Sequence, residues 1–319
     1  MVAVCIAVTA SGGHQLLLSR TTADDVHIAP AGIPSSGVAA ALQLSELPPH
    51  NAVTLEAGAA IAHRLDLRQY MRELVHNYPG ATFLSVDPPI IKFPDFLAKH
   101  ECESLIEFGK PLLRPSVAVR QRDQSVAQNR ERTSENAWCM PGTRCVDHPM
   151  TLAVDNRIAN LTGFPQHNLE YYQILRYKGR QGYQAHADWA GGIKELQGFP
   201  SGPRLFTIFL YLNTVDPTAG GSTWFPGAPA LNATGSEGAY WHRPAHFPEL
   251  REHYRKRSKR PVSTAQKFAD IGLRIAPEQG TAIMWPNVDL DNVYVQNEQT
   301  VHAAEELEPG HVKWAANAW

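Results

Sequence analysis

From Ala81 to its last residue the chain is a succession of short apolar runs separated by Gly- and Pro-rich turns: FLSVDPPIIKF, LEYYQILRY, RLFTIFLYLN, IGLRIAP, GTAIMWP, QTVHAA and HVKWAANAW. Runs this short, bounded by turn residues and rich in β-branched and aromatic side chains, form strands and not helices. No internal sequence repeat accompanies them. The expected class is therefore mainly β with flanking helices, built from antiparallel strands.

Helical spacing occurs in three places. Leu65, Leu67, Tyr70, Met71 and Leu74 fall on one face of VTLEAGAAIAHRLDLRQYMRELVHNY,. Phe96, Leu97, Cys102, Leu105, Ile106 and Phe108 supply an apolar stripe in IIKFPDFLAKHECESLIEFGKPLL. In DHPMTLAVDNRIANLTG, Asp147 is a candidate cap, Pro149 suits the first turn, Val154, Ile158 and Leu161 share a face, and Gly163 ends the helix,. Residues 1–82 read as an N-terminal extension of unknown role, and 83–319 as the main domain.

The chemistry-bearing stretch is YKGRQGYQAHAD, Tyr177 to Asp188. On an extended segment His186 and Asp188, two apart, project from the same face, where an imidazole and a carboxylate can grip one metal ion. In a chain of 14 histidines a lone His-x-Asp arises by chance, so the pair needs company,. It comes from TVHAAEELEPGHVKWAANAW, which carries His302 and then Lys313. Two histidines and one carboxylate on one face of a metal leave the opposite face open, as in non-heme Fe(II) oxygenases, and a lysine can pair with the far carboxylate of a chelating 2-oxoglutarate. Strands presenting ligands early and late in this way fit a double-stranded β-helix, the jelly-roll or cupin-like architecture.

The ordered set Tyr177, His186, Asp188, RLFTIFLYLN, GGSTWFP, His302 and Lys313 within KWAANAW resembles the prolyl 4-hydroxylase family of Fe(II)- and 2-oxoglutarate-dependent dioxygenases, from about Pro88 to Trp319. IIKFPDFLAKHECESLIEFGKPLL is similar to the family's opening strand and helix. NRERTSENAW is similar to a segment carrying Arg-Thr-Ser in relatives. The resemblance implies iron on His186, Asp188 and His302, and 2-oxoglutarate on Lys313 with the hydroxyls of Tyr177 and Thr223. It implies substrate contacts from Tyr183, Arg204 and Trp319. It further implies O2 and ascorbate as participants, and a proline-rich or collagen-like peptide hydroxylated at proline C4 with release of succinate and CO2. Other substrates of the same superfamily (a lysyl residue, a nucleobase, a small molecule) and a non-catalytic jelly-roll binding protein stay open; Lys313 argues against branches that place an arginine there.

A net charge of -2 gives no global attraction to nucleic acid or anionic membrane, and no apolar run reaches the length of a membrane span,. MVAVCIAVTASGG reads as a short signal peptide without a basic start or as an ordinary strand,. Cys139 and Cys145 can pair across the MPGTR turn, which suits an oxidising compartment, and Cys102 packs on its helix,. The family resemblance leans the location toward the endoplasmic reticulum. Asn160 and Asn232 begin glycosylation sequons that matter only on that route,. One long connection, about 228–270, departs from the family pattern. It carries the basic cluster REHYRKRSKR, more simply a solvated face than a binding surface, and His242, His246 and His253 at no metal-binding spacing,.

Overall fold

A computed structural model describes residues 66–119, 126–128, 132–189, 204–231, 237–242 and 268–319. Leu65, Asn232, His246, His253, the REHYRKRSKR cluster and the signal-like start lie outside these residues.

Helix α1 (Leu67–Asn77) begins at Asp66, whose side chain accepts a hydrogen bond from the Gln69 amide, and buries Leu67, Tyr70, Met71 and Leu74. These four belong to the same apolar cluster as Phe93, Leu105, Ile158 and Met284. The helix is thus part of the main core. Strands β1 (Thr82–Val86) and β2 (Pro89–Phe93) form a hairpin. In α2 (Lys99–Gly109) Cys102 and Leu105 are buried, while Phe96 and Leu97 pack from the preceding loop. Short strands β3 (Arg114–Pro115), β4 (Val117–Val119), β5 (Val126–Gln128) and β6 (Glu135–Trp138) follow.

Helix α3 (Pro149–Thr162) carries the expected face, Val154, Ile158 and Leu161, and ends at Gly163 in the left-handed region. Its N-cap is His148 and not Asp147: with Pro149 at the first helical position, residue 148 is the one whose side chain reaches the Met150 amide, through Nδ1 at 3.2 Å,. Arg157 ties α3 to α2 by a bidentate pair with Glu101, both contacts at 2.8 Å. Cys139 and Cys145 form a disulfide, and Cys102 is a buried free thiol.

The remaining strands are β7 (Gln173–Lys178), β8 (Tyr183–His186), β9 (Phe206–Tyr211), β10 (Thr223–Phe225), β11 (Leu273–Ile275), β12 (Ala282–Pro286), β13 (His302–Ala304) and β14 (Val312–Ala318). They divide between two antiparallel sheets, β7, β9, β12 and β14 in one and β8, β10, β11 and β13 in the other. The larger has the order β1-β2-β12-β9-β14-β7-β6-β3 and the smaller β11-β10-β13-β8. Chain order crossing between the sheets in this way is the double-stranded β-helix.

Strand periodicity divides the large sheet's side chains between two cores. Ile174, Ile208, Leu210, Met284, Trp314 and Ala316 face the helices. Leu175, Tyr177, Phe209, Tyr211, Ile283, Trp285 and Ala315 face inward and meet Phe225, Leu273 and Ile275 of the small sheet. The register sets the neighbours: Lys313 opposes Tyr177, Ala315 opposes Leu175 and Tyr211, Asn317 opposes Gln173 and Phe209, and Trp285 opposes Thr207. A third cluster, Trp224, Trp241, Phe268 and Ala303, packs both described ends of the 228–270 connection against the small sheet. No described helix is long and apolar enough to cross a membrane.

Candidate metal centre and its cation-lined cavity

His186 ends β8 and His302 begins β13; the two residues are direct partners in the small sheet, which sets their rings 4.3 Å apart by centroid. Asp188 follows His186 by two and lies between them. Its Oδ1 is 3.6 Å from His186 Nε2 and its Oδ2 is 3.7 Å from His302 Nε2. One ligand atom from each residue can be chosen so that all lie within 4.8 Å of one another, a spacing that fits one tightly coordinated ion,.

The surroundings prepare these atoms as ligands. His186 Nδ1 lies 2.8 Å from the Gln184 carbonyl and His302 Nδ1 3.0 Å from the Thr300 carbonyl. A carbonyl only accepts, so each Nδ1 carries the proton and each Nε2 offers its lone pair to the centre. Burial lowers the His186 imidazole to about 3, with the neighbouring His302 acting in the same direction, so the ring stays neutral and ready to ligate,. Burial raises the Asp188 carboxyl, but the facing imidazoles, Arg204 and the Thr207 hydroxyl outweigh it and leave the group lowered to about 2.

Asp188 Oδ2 accepts from Thr207 Oγ1 at 2.8 Å and from the Trp319 indole Nε1 at 3.2 Å. Thr207, completely buried, in turn accepts from Asn287 Nδ2 at 2.9 Å. Neither Thr207 nor Asn287 was expected from the motifs; the signal for Thr207 was the one aliphatic hydroxyl in RLFTIFLYLN, at the inward-facing alternation.

Lys313 lies deeper in the inner face, 1% exposed. Its Nζ donates to the Gly221 carbonyl at 2.7 Å and lies 5.5 Å from the Tyr177 and Phe209 ring centroids and 5.6 Å from that of Tyr211. Burial lowers the ammonium to about 7, against the opposing charge of Glu305, whose carboxylate is paired with Arg274 at 3.0 Å. Gly220 and Gly221, both at φ 76°, form the turn that carries this carbonyl close to the 306–307 segment: a Cβ on Gly220 would meet the Glu306 carbonyl oxygen at 2.3 Å,. Thr223 is buried and its hydroxyl accepts from Tyr211 at 2.8 Å, while the Tyr177 hydroxyl lies beside the Ser134 side chain.

The three residues expected to meet a substrate adjoin the ligand cluster through separate contacts. Tyr183 stacks on His186 with 3.6 Å between centroids, and Arg132 lies over Tyr183 at 4.7 Å. Arg204 donates twice to Glu170, at 2.6 and 2.8 Å, and sits 3.8 Å above the Trp319 ring. Glu170 completes the loop by donating its amide to the Trp319 carbonyl at 2.8 Å. The structure therefore gives Arg204 a role in holding Trp319, and gives Trp319 a contact with a metal-ligand candidate as well as a place beside the centre.

Residues 172–319 match the sequence pattern of the 2OG-Fe(II) oxygenase superfamily. Among curated relatives, prolyl 4-hydroxylase 1 of Arabidopsis thaliana is 27% identical over 236 residues, spanning 74% of this chain and 70% of that protein. Prolyl 4-hydroxylase 5 of the same plant is 31% identical over 145 residues, 46% of this chain and 47% of that one. Among solved structures, the viral collagen prolyl hydroxylase of Paramecium bursaria Chlorella virus-1 aligns with a TM-score of 0.44 and 21% identity, covering 72% of this chain and 94% of its own.

Proposed function

Since residues 172–319 belong to the 2OG-Fe(II) oxygenase superfamily, we propose that this chain is an Fe(II)- and 2-oxoglutarate-dependent dioxygenase that hydroxylates peptidyl proline at C4. The observation that carries the reading is the occurrence together of the His186, Asp188 and His302 ligand cluster and a buried ammonium on Lys313, which opposes Tyr177 on the large sheet and donates to the Gly221 carbonyl. The donor set fits Fe(II): two imidazoles and one carboxylate, with a face left open. The chemistry Fe(II) supplies when bound is the oxidative decarboxylation of 2-oxoglutarate by O2, coupled to insertion of one oxygen atom into a C–H bond of the substrate.

The chain's own residues do the rest. Thr300 and Gln184 carbonyls fix the imidazole tautomers, and Thr207 and Trp319 hold the Asp188 carboxylate by its Oδ2. Lys313 binds the distal carboxylate of 2-oxoglutarate, with Tyr177 and Thr223 hydroxyls beside it. The apolar wall of Phe209, Phe225, Leu273 and Ile275 keeps water from that ion pair, which strengthens it,. Tyr183 and Trp319 flank the open side as aromatic faces for a proline ring, and a polyproline II peptide is stiff enough to bind such a surface at little entropic loss. The named relatives support a peptidyl-proline substrate; ascorbate is included on the family likeness alone, and the secretory route on that likeness together with the Cys139–Cys145 disulfide.

The test is succinate release by Fe(II)-loaded protein with and without proline-rich peptides, followed by mass spectrometry of the peptide. Peptide-dependent turnover with the added oxygen on proline, lost in His302→Ala, is the expected result. Turnover indifferent to peptide, oxygen on another residue type, or activity surviving in His302→Ala would sink this assignment.

A further inference from the structure

Two tryptophans near the metal-ligand cluster and the small sheet have their indole N–H groups satisfied: Trp224 Nε1 donates to the Ile271 carbonyl at 2.7 Å, and Trp319 Nε1 to Asp188 Oδ2 at 3.2 Å. Trp285 differs. It is 1% exposed, and its Nε1–H has no acceptor among the described residues. Buried donors in folded proteins are almost always paired, because stripping water from an N–H without replacing the bond is unfavourable.

The position of this unpaired donor is informative. Trp285 is on β12 opposite Thr207, with its side chain among the inward-facing residues of the large sheet. Its ring is 4.7 Å by centroid from His302, in an edge-to-face arrangement, 5.1 Å from Phe225 and 6.2 Å from Phe209. These rings offer no oxygen atom, and the hydroxyl of Thr207 opposite already donates to Asp188 and accepts from Asn287. Phe209 is also one of the rings around Lys313 Nζ, which Trp285 itself does not touch within that set. The indole thus stands beside the metal-ligand cluster, its ring against that of His302.

We propose that Trp285 is a ligand-binding residue whose Nε1–H donates to the metal-chelating, 2-oxo-acid end of the bound cosubstrate, while Lys313 serves the distal carboxylate. This inference rests on the 2-oxoglutarate reading given above. A carboxylate oxygen beside the metal-ligand cluster is the acceptor the indole lacks, and a hydrogen bond to an ionised acceptor is stronger than one between neutral groups. The donor is uncharged, so it adds direction without adding a second buried cation.

The experiment is calorimetric titration of Zn(II)-loaded wild-type and Trp285→Phe protein with 2-oxoglutarate and with 2-oxopentanoate, which keeps the 2-oxo acid group and lacks the second carboxylate. Phenylalanine keeps an aromatic ring and removes only the donor. The expected result is a loss of roughly tenfold or more in affinity for both acids in Trp285→Phe. Independently of any variant, the Trp285 indole N–H resonance of wild-type protein, labelled with 15N at tryptophan, is expected to move downfield when either acid binds. Equal affinities in the two proteins, with that resonance unmoved, would overturn the proposal. A loss confined to 2-oxoglutarate would overturn the assignment to the chelating end. Wild-type protein that binds neither acid would overturn the cosubstrate reading together with it.

Discussion

Raising the pH from 7 to 9 is expected to weaken 2-oxoglutarate binding through a single side chain. Lys313 is the cation of the cavity, and burial lowers it to about 7. Burial raises the facing Tyr177 and Tyr211, which remain neutral phenols across that window,. Glu305 opposes the lysine shift from a carboxylate that burial moves upward. A dianionic ligand binds the ammonium form. Above pH 7 the free site has lost that proton, so binding must take one up and affinity falls. With a midpoint near 7 the apparent dissociation constant rises as one plus ten to the power of pH minus seven, about fifty-fold from pH 7 to 9, or about 2 kcal/mol. Calorimetry on metal-loaded protein in two buffers of different ionisation enthalpy reads the proton directly: about half a proton taken up at pH 7 and about nine tenths at pH 8. Lys313→Arg keeps its charge throughout, so its weaker binding is expected to be flat with pH, as is binding of 2-oxopentanoate to wild type. A flat wild-type profile, or a slope retained in Lys313→Arg, would refute the reasoning and place the titration elsewhere.

Three further outcomes follow from the geometry. Thr207→Val removes the hydroxyl that holds Asp188 Oδ2 while keeping the shape, and is expected to weaken metal binding by roughly tenfold to a hundredfold in a competition assay with a chelating dye,; unchanged affinity would mean the carboxylate needs no such partner. Trp319→Phe, which removes the indole donor to Asp188, is expected to lower metal affinity with peptide affinity largely kept, whereas deletion of Trp319 weakens peptide binding as well; identical behaviour of the two variants in peptide titrations would show that the ring contributes nothing. Replacing Cys139 and Cys145 together by serine opens a short loop and is expected to lower unfolding free energy by about 2 kcal/mol in urea titrations, a figure that an unchanged midpoint would contradict,.

What the sequence determined by itself is the part that local spacing encodes. Alternation in RLFTIFLYLN and KWAANAW marks strands whose residues divide between two faces, and the 67–74 and 154–161 stripes mark helices, because a side chain's direction follows from backbone period alone,. The ordered His186, Asp188, His302 and Lys313 were legible for the same reason together with their family likeness. Short strands such as β8 and β10 left a weaker mark, since three or four residues carry too little period to read. What only tertiary structure decided is which distant groups share one cavity. Sequence could not place Thr207 under Asp188, Gly221 against Lys313, or Arg204 on Glu170 and Trp319, because those contacts depend on the register between strands far apart in the chain. The unpaired indole of Trp285 is of the same kind: a tryptophan in GTAIMWP is ordinary core until the fold surrounds its N–H with rings, beside a metal ligand that lies seventeen residues further along the chain by number, 285 to 302.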